Sequence, residues 1–390
     1  MPTDAFTDPG TRLLLDEAEL DAEGTARLLV IDEPVLARAL FHDEQLRDDQ
    51  AHHDQAPDKN VHALQAFCDR ADLHQSLPAA IRVDPSTPVC ADIALVRIPT
   101  SLDQLDEYAG WAHASGVQRV VAVGREKDLA RRMNDVLGRW FTDVRGSRGR
   151  DKHRVLHAWG PREKPAVPPE ARWPRRVRRD GLTIVAHGGT FGTTKLDPGT
   201  RLLLGHLGAI RAFAAASPHP PRMLDIGSGN GTISAELART VPEGHLTAVD
   251  VSWAGAAATR ATLAANVSPT GSETPSAASS VVWGDALDLL RDADPFDLIV
   301  TNPPFHLGVA KDSTFTRDLL KLAPRRLNPG GQLWVVHNTH LPWLPLLRER
   351  HPDAERVAQD RQFSVIRLTN SRTPTDRPMA DAGRVPRLAS

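Results

Sequence analysis

A short run near the start of the chain, Asp8-Pro9-Gly10-Thr11-Arg12-Leu13-Leu14-Leu15, returns residue for residue as Asp197-Pro198-Gly199-Thr200-Arg201-Leu202-Leu203-Leu204. Two further pairs keep the same order: Asp92 to Pro99 with Asp297 to Pro304, and Gly116 to Val123 with Gly331 to Asn338. A repeat of this kind constrains the chain to two like units, and 390 residues with 41% hydrophobic content suffice for two cores.

Within each unit, short apolar runs rich in β-branched residues alternate with helical stretches. Ala26 to Asp32, Asp92 to Pro99, Val117 to Val123 and Arg154 to Trp159 read as strands of the first unit, with an acidic helix-like run before them and helices over 101–115 and Lys127 to Leu137. In the second, Arg222 to Ile226, His245 to Val249, Ser280 to Trp283, Phe296 to Val300 and Gln332 to Val336 read as strands. Thr232 to Thr240 and Leu344 to Arg350 read as helices, and Glu355 to Ala358 with Phe363 to Leu368 as an antiparallel hairpin. Such alternation implies an α/β fold, two tandem Rossmann-like units with parallel sheets. The expected division is 1–160, a Pro/Arg-rich linker 161–181, a second unit 182–372 and a disordered tail 373–390. Phe41 to Asn60, with His42, His52 and His53, reads as a solvated loop rather than a metal site, and the Ser/Thr/Pro/Ala-rich Val267 to Ser280 as a mobile insertion.

The chemistry concentrates at expected strand ends of the second unit, where open α/β sheets bind ligands. Gly227-Ser228-Gly229-Asn230-Gly231 follows a strand carrying Asp225 and precedes a helix, so its glycines let backbone N–H groups approach a ligand. The spacing is GxGxG, not the GxGxxG of dinucleotide binding, and suits a nucleoside with an amino-acid tail. Asp250 ends the next strand, where a carboxylate accepts from both ribose hydroxyls. Asp285 follows another, placed to accept from an adenine amine while the Ala286 N–H meets a ring nitrogen. Behind Phe296 to Val300 stands Thr301-Asn302-Pro303-Pro304-Phe305-His306. Pro303 stops the strand, the Asn302 oxygen and the Pro303 carbonyl offer two acceptors to one NH2 group, and Phe305 offers a stacking face. Taken alone, Asn-Pro-Pro reads equally as a stiff turn. The first unit lacks the glycine loop, having Asp32-Glu33-Pro34 there, and Arg97 stands at the position of Asn302. It is expected to have lost the chemistry and kept the fold.

These residues resemble the class I S-adenosylmethionine-dependent methyltransferases, most closely the bacterial ribosomal RNA guanine-N2 methyltransferases of the small or large subunit. The resemblance rests on Phe191 with Leu196 to Gly199, Leu224 to Gly231, Asp250-Val251-Ser252, Arg260 to Asn266, and Asn302 to His306. It is dense over 188–370 and weak before 160, with Ser228 in place of the family's Cys and Leu307 in place of a polar residue. It implies a degenerate first domain, a seven-stranded catalytic domain, S-adenosylmethionine held by Phe191, Asp225, Gly227 to Gly231, Asp250, Val251, Asp285, Ala286 and Asn302, and methylation by Asn302, Pro303, Pro304, Phe305 and His306. His306 reads as a contact to base or phosphate, or as a satisfied loop histidine. Methylation of adenine N6 or protein glutamine, a small-molecule methyltransferase and a non-catalytic RNA-binding assembly factor are the other readings.

Net charge of −2 hides a polarity: residues 1–58 hold 15 Asp/Glu against 4 Arg, whereas 160–180 hold 7 Lys/Arg against 3 Asp/Glu. Ribosomal RNA or a ribosomal subunit is the expected partner, along Arg175, Arg176, Arg178 and Arg179, with Lys311 a further contact. Two cysteines, Cys68 and Cys90, without CxxC spacing indicate neither a disulfide framework nor a thiolate metal site. No apolar run reaches the roughly 20 residues that span a membrane. A cytoplasmic monomer needing no metal is expected.

Overall fold

A computed structural model describes residues 7–20, 26–51, 64–168, 171–267, 278–303 and 310–371, the side chains at 44, 46–51 and 310–313 excepted. The first unit runs α1 (Pro9–Ala18), β1 (Leu28–Ile31), α2 (Pro34–Ala51), β2 (Leu64–Phe67), α3 (Ala71–Gln75), β3 (Ile93–Arg97), α4 (Leu102–Ala114), β4 (Arg119–Arg125), α5 (Arg131–Leu137), β5 (Phe141–Gly146) and β6 (His153–Pro161). Its sheet has the order β2-β1-β3-β4-β6-β5. A hairpin follows, β7 (Arg175–Arg179) with β8 (Leu182–Ala186).

The second unit runs α6 (Pro198–Leu204), α7 (Leu207–Ala215), β9 (Arg222–Ile226), α8 (Thr232–Thr240), β10 (His245–Asp250), α9 (Trp253–Asn266), β11 (Ala278–Trp283), α10 (Ala286–Asp292), β12 (Phe296–Thr301), α11 (Ala310–Leu322), β13 (Leu327–Asn338), α12 (Trp343–Arg348), β14 (Glu355–Gln359) and β15 (Phe363–Thr369). Its seven strands take the order β11-β10-β9-β12-β13-β15-β14. The sheets differ in extent by one strand, six in the first unit against seven in the second. β12 is buried along its whole length, as a central strand flanked by helical layers must be.

The duplication extends to single hydrogen bonds. Asp8 and Asp197 each cap a helix, accepting from the N–H three residues on at 2.9 Å, with Pro at the first helical position. Arg27 N–H donates to Asp92 at 2.9 Å and Arg222 N–H to Asp297 at 2.8 Å, tying the start of the first strand to its neighbour in both units. Strand register then equates Asp32 with Gly227 and Arg97 with Asn302. Asp32 holds φ 57°, a left-handed conformation Asp tolerates, where Gly227 holds 71°.

Four expectations change. The polar segment after Phe41 continues α2 to Ala51, because an apolar face of Leu36, Ala37 and Leu40 carries it onto the core; His52 and His53 lie outside the described residues. β2 and β5 complete the first sheet where no strands were expected. The linker closes as the β7–β8 hairpin, whose β8 lies along α9 with Val185 N–H bonding Thr262 Oγ1 at 2.9 Å. Of the expected insertion, Ala278 to Ser280 form the first half of β11; 268–277, like the tail beyond 371, lie outside the described residues.

The two units share a core. Trp253 and Ala254 of the second pack in one cluster with Phe67, Tyr108 and Trp111 of the first, the Phe67 and Trp253 rings meeting edge to face at 5.8 Å. Around it, Glu107 accepts from Gly188 N–H at 2.7 Å and pairs with His187, and a side chain at Gly188 would collide with the Asp103 carbonyl. Among the described residues no helix is long and apolar enough to cross a membrane.

Candidate active site

The carboxyl ends of β9, β10 and β12 meet around Gly227 to Gly231. Gly227, Gly229 and Gly231 have φ of 71°, 55° and 72°, which an L side chain adopts only with strain. Gly231 is also demanded by packing, since a Cβ there would lie 2.8 Å from the Thr259 Cα where α8 crosses α9. At Gly227 a Cβ would meet only the Asn302 carbonyl, at 4.0 Å. The room beside this backbone is thus open in the second unit, where Asp32 puts a side chain in the first.

A narrow cleft is lined by this loop, Asn302 and the segment that runs into α6, from Phe191 to Thr200. Asn230 holds that segment, its Nδ2 donating to the carbonyls of Thr193 and Lys195 at 3.0 and 3.2 Å. Phe191 stands on the lip, 59% exposed.

Asn302 sits where β12 ends, and its amide orientation is fixed. Nδ2 donates to Asp197 Oδ2 at 2.9 Å and Thr200 Oγ1 at 3.0 Å. A carboxylate only accepts, so the amide nitrogen must face Asp197. Oδ1 therefore turns the other way, an acceptor without a hydrogen bond among the described residues. Pro303 follows, buried, with no N–H of its own. Pro304, Phe305 and His306 lie outside the described residues, as does the side chain of Lys311.

Asp250 closes β10 beside the loop. Its oxygens accept from Gly229 N–H at 2.8 Å and Ser252 N–H at 2.9 Å, and each can accept again. Burial pushes this carboxyl upward, and the Ser252, Gly229 and Val251 N–H groups oppose it. Gly255 makes room, since a Cβ there would lie 2.6 Å from the carboxylate. The carbonyl of Val251 accepts from Trp283 Nε1 at 3.1 Å and Ala71 N–H at 2.8 Å. On the neighbouring strand end, Asp285 caps α10 through Leu287 N–H at 2.7 Å, and Ala286 occupies the first helical position, whose N–H has no partner within the helix.

Asp225 departs from its expected place. It is fully buried beneath the loop rather than on the cleft surface, accepts from Ser234 Oγ, and is pushed up to about 7 by burial, the nearby Asp250 adding to this and Ser234 opposing it. It ties β9 to α8 through Ser234. Arg175 departs too: its guanidinium stacks on Trp173 at 3.8 Å and pairs with Asp103 and the buried Asp106 at 3.4 and 3.6 Å. It joins the hairpin to the first unit, while Arg176, Arg178 and Arg179 are exposed on β7.

Asp197 and Thr200, which aim Asn302, were legible as members of the repeat, and Asp197 in the resembling stretch Leu196 to Gly199, but not as partners of Asn302. In the first unit the same pair, Asp8 and Thr11, receives the Arg97 guanidinium at 2.7 and 3.1 Å, and Glu33 pairs with it from below. Arg97 fills the corner that Asn302 leaves open. Among the described residues no cluster of His, Cys, Asp and Glu is placed to hold a metal.

The fold and this cleft define a class I methyltransferase, the class that uses S-adenosylmethionine. Residues 181–367 match the Methyltransferase small domain family. A Streptomyces avermitilis protein named ribosomal RNA large subunit methyltransferase G is 30% identical over 309 residues, 76% of each chain. Its Streptomyces griseus namesake is 33% identical, covering 71% of this chain and 70% of that one. The chain belongs to the ribosomal RNA large subunit methyltransferase G family. A small subunit methyltransferase C from Chromohalobacter salexigens is 38% identical over 207 residues, 53% of this chain and 57% of its own. A T. thermophilus 16S rRNA N2 methyltransferase, solved with AdoMet and guanosine, shares the two-unit fold at TM-score 0.67 and 21% identity, over 93% of this chain and 92% of that one.

Proposed function

We propose that this chain methylates the exocyclic N2 amine of a guanine in ribosomal RNA, using S-adenosylmethionine. The observation that carries the reading is Asn302, whose amide is turned by Asp197 and Thr200 so that Oδ1 stays open beside the glycine-loop cleft. Gly227 to Gly229 leave room for the cofactor, their N–H groups already donating to the Val249 carbonyl and to Asp250; Asp250 accepts the ribose hydroxyls, and Asp285 with the Ala286 N–H meets the adenine. When bound, the cofactor supplies an electrophilic methyl group.

A guanine reaches the cleft only by leaving its stack. Asn302 Oδ1 and the Pro303 carbonyl then hold the amine through its own hydrogens, and the rate gain comes from positioning. Phe305 stacks on the base and His306 contacts base or phosphate, as the family resemblance implies. Arg176, Arg178 and Arg179 take the RNA backbone, with Lys311 a further contact, and the chain acts as a cytoplasmic monomer on ribosomal RNA or a subunit.

The test is to incubate the protein with labelled S-adenosylmethionine and ribosomal RNA from a strain lacking the gene, then digest to nucleosides. Label in N2-methylguanosine, with the same nucleotide unmethylated in that strain by mass mapping, is expected. Label in N6-methyladenosine, or in protein alone, overturns the reading.

A further inference from the structure

We propose that Asp69, in the first unit, is a positioning residue for the cofactor site of the second; this rests on the reading of Asp250 as the ribose acceptor. The segments that follow the second strand of each unit lie back to back. Ala71 N–H donates to the Val251 carbonyl at 2.8 Å and Trp253 N–H to the Asp69 carbonyl at 2.7 Å, an antiparallel bridge centred on Arg70 and Ser252. Strand register makes these two residues counterparts, so the units meet about a local twofold.

The symmetry breaks at one side chain. Asp69 Oδ1 accepts from Ala254 N–H at 3.0 Å. The first N–H groups of a helix have no partner inside it. In α9 the first two, Trp253 and Ala254, are satisfied by Asp69 from the other unit, and the third, Gly255, by Ser252 Oγ at 3.2 Å. Trp283 Nε1 adds a donor to both bridging carbonyls, at 3.0 Å from Asp69 and 3.1 Å from Val251.

What this grip aims is Ser252 N–H, one of the backbone donors that hold the Asp250 carboxylate. Residues 251, 253 and 254 are all held by the first unit, so the Ser252 N–H cannot swing away from Asp250 while Asp69 is in place. The first unit, with its own corner filled by Arg97, completes its partner's ribose site. Asp69 itself touches no substrate atom and acts through Ser252 and Asp250.

The test uses the full chain, with S-adenosylmethionine titrated calorimetrically below the melting range and turnover measured on ribosomal RNA at saturating cofactor. Asp69→Ala is expected to weaken cofactor binding on the order of tenfold, the scale of one lost buried hydrogen bond with its orphaned partner, while turnover at saturation stays within about twofold. Asp69→Asn keeps an acceptor for Ala254 N–H and is expected to restore binding to within about threefold of the parent. Trp283→Phe, which removes the donor to both carbonyls and keeps the packing, should weaken binding severalfold even where Asp69→Ala does not fold. Parent-like affinity in Asp69→Ala, or in Trp283→Phe where Asp69→Ala does not fold, overturns the inference, as does an Asn variant as weak as the Ala variant. Asp250→Ala separates the two layers: if it binds the cofactor as the parent does, the ribose assignment itself fails.

Discussion

Replacing Asp197 by Ala removes two bonds at once, the cap on α6 at 2.9 Å and the carboxylate that receives the Asn302 amide at 2.9 Å. The cap is worth about 1 kcal/mol of stability. The second bond involves a charged acceptor, worth roughly 1.5–3 kcal/mol. Without it the amide is free to turn its nitrogen toward the substrate, where a donor repels an amine hydrogen. If that orientation energy enters the transition state in full, turnover falls about 10- to 150-fold, at roughly 1.36 kcal/mol per tenfold. Asn302→Ala should fall by at least as much, with cofactor affinity near the parent's. The assay is single-turnover methylation of ribosomal RNA by Asp197→Ala, Asn302→Ala and the double variant, with calorimetric titration of S-adenosylmethionine as control. Because Asp197 acts through Asn302, the double variant should be no slower than Asn302→Ala within about threefold. A double variant whose loss is the product of the two single losses would refute the reasoning, since Asp197 would then serve the reaction independently.

Three other outcomes are expected. Calorimetry on the full chain should count one S-adenosylmethionine per molecule, because Asp32 and the Arg97–Asp8–Glu33 cluster occupy the first unit's equivalent corner; a stoichiometry of two contradicts this. Replacing Arg176, Arg178 and Arg179 by Ala should lower the salt slope of RNA affinity by about one unit for each phosphate no longer neutralised, whereas Arg175→Ala should chiefly lower the urea midpoint; an unchanged slope means β7 does not meet RNA. Glu33 is pushed up to about 7, burial outweighing Arg97, so it holds its proton in the folded chain while the unfolded chain releases it near 4.5. Its contribution to stability is present below that pH and is lost as pH rises toward 7, so the parent should fall behind Glu33→Gln across this window by up to about 3 kcal/mol. Urea midpoints of the two proteins that keep a constant separation from about pH 4 to 8 would show that Glu33 does not titrate as described.

The site was legible where local chemistry announces itself. Three glycines behind a strand, Asp250 at a strand end and Asn302-Pro303 behind Val300 need no tertiary information. The repeat made the first unit readable through the second, including Arg97 at the position of Asn302. What escaped depends on distant neighbours. Leu64 to Phe67 is a short strand after a polar stretch, and becomes one because β1 lies beside it. Arg175 carries the same charge as Arg176, and only Asp106, far away in sequence, separates their roles. Asp69 has no motif at all: its partner Ala254 lies in the other unit. Asp225 was drawn toward the ligand by its nearness to the loop in sequence, but strand alternation sends its side chain beneath the loop.

Because the two units repeat one topology within a single chain, each serves as an internal control for the other. The Asp-Pro-Gly-Thr cap and the carboxylate bond to the first strand's N–H stand in both, so they answer to folding. Gly227 and Gly229 at left-handed positions and an amide with an idle oxygen stand only in the second, so they answer to chemistry, while Gly231 answers to helix packing as well. A substitution in this protein can therefore be weighed bond by bond before any assay: loss of a bond that both halves make, such as the cap from Asp197, is felt in folding, and loss of one that only the second half makes, such as that from the Asn302 amide to the same carboxylate, is felt in catalysis.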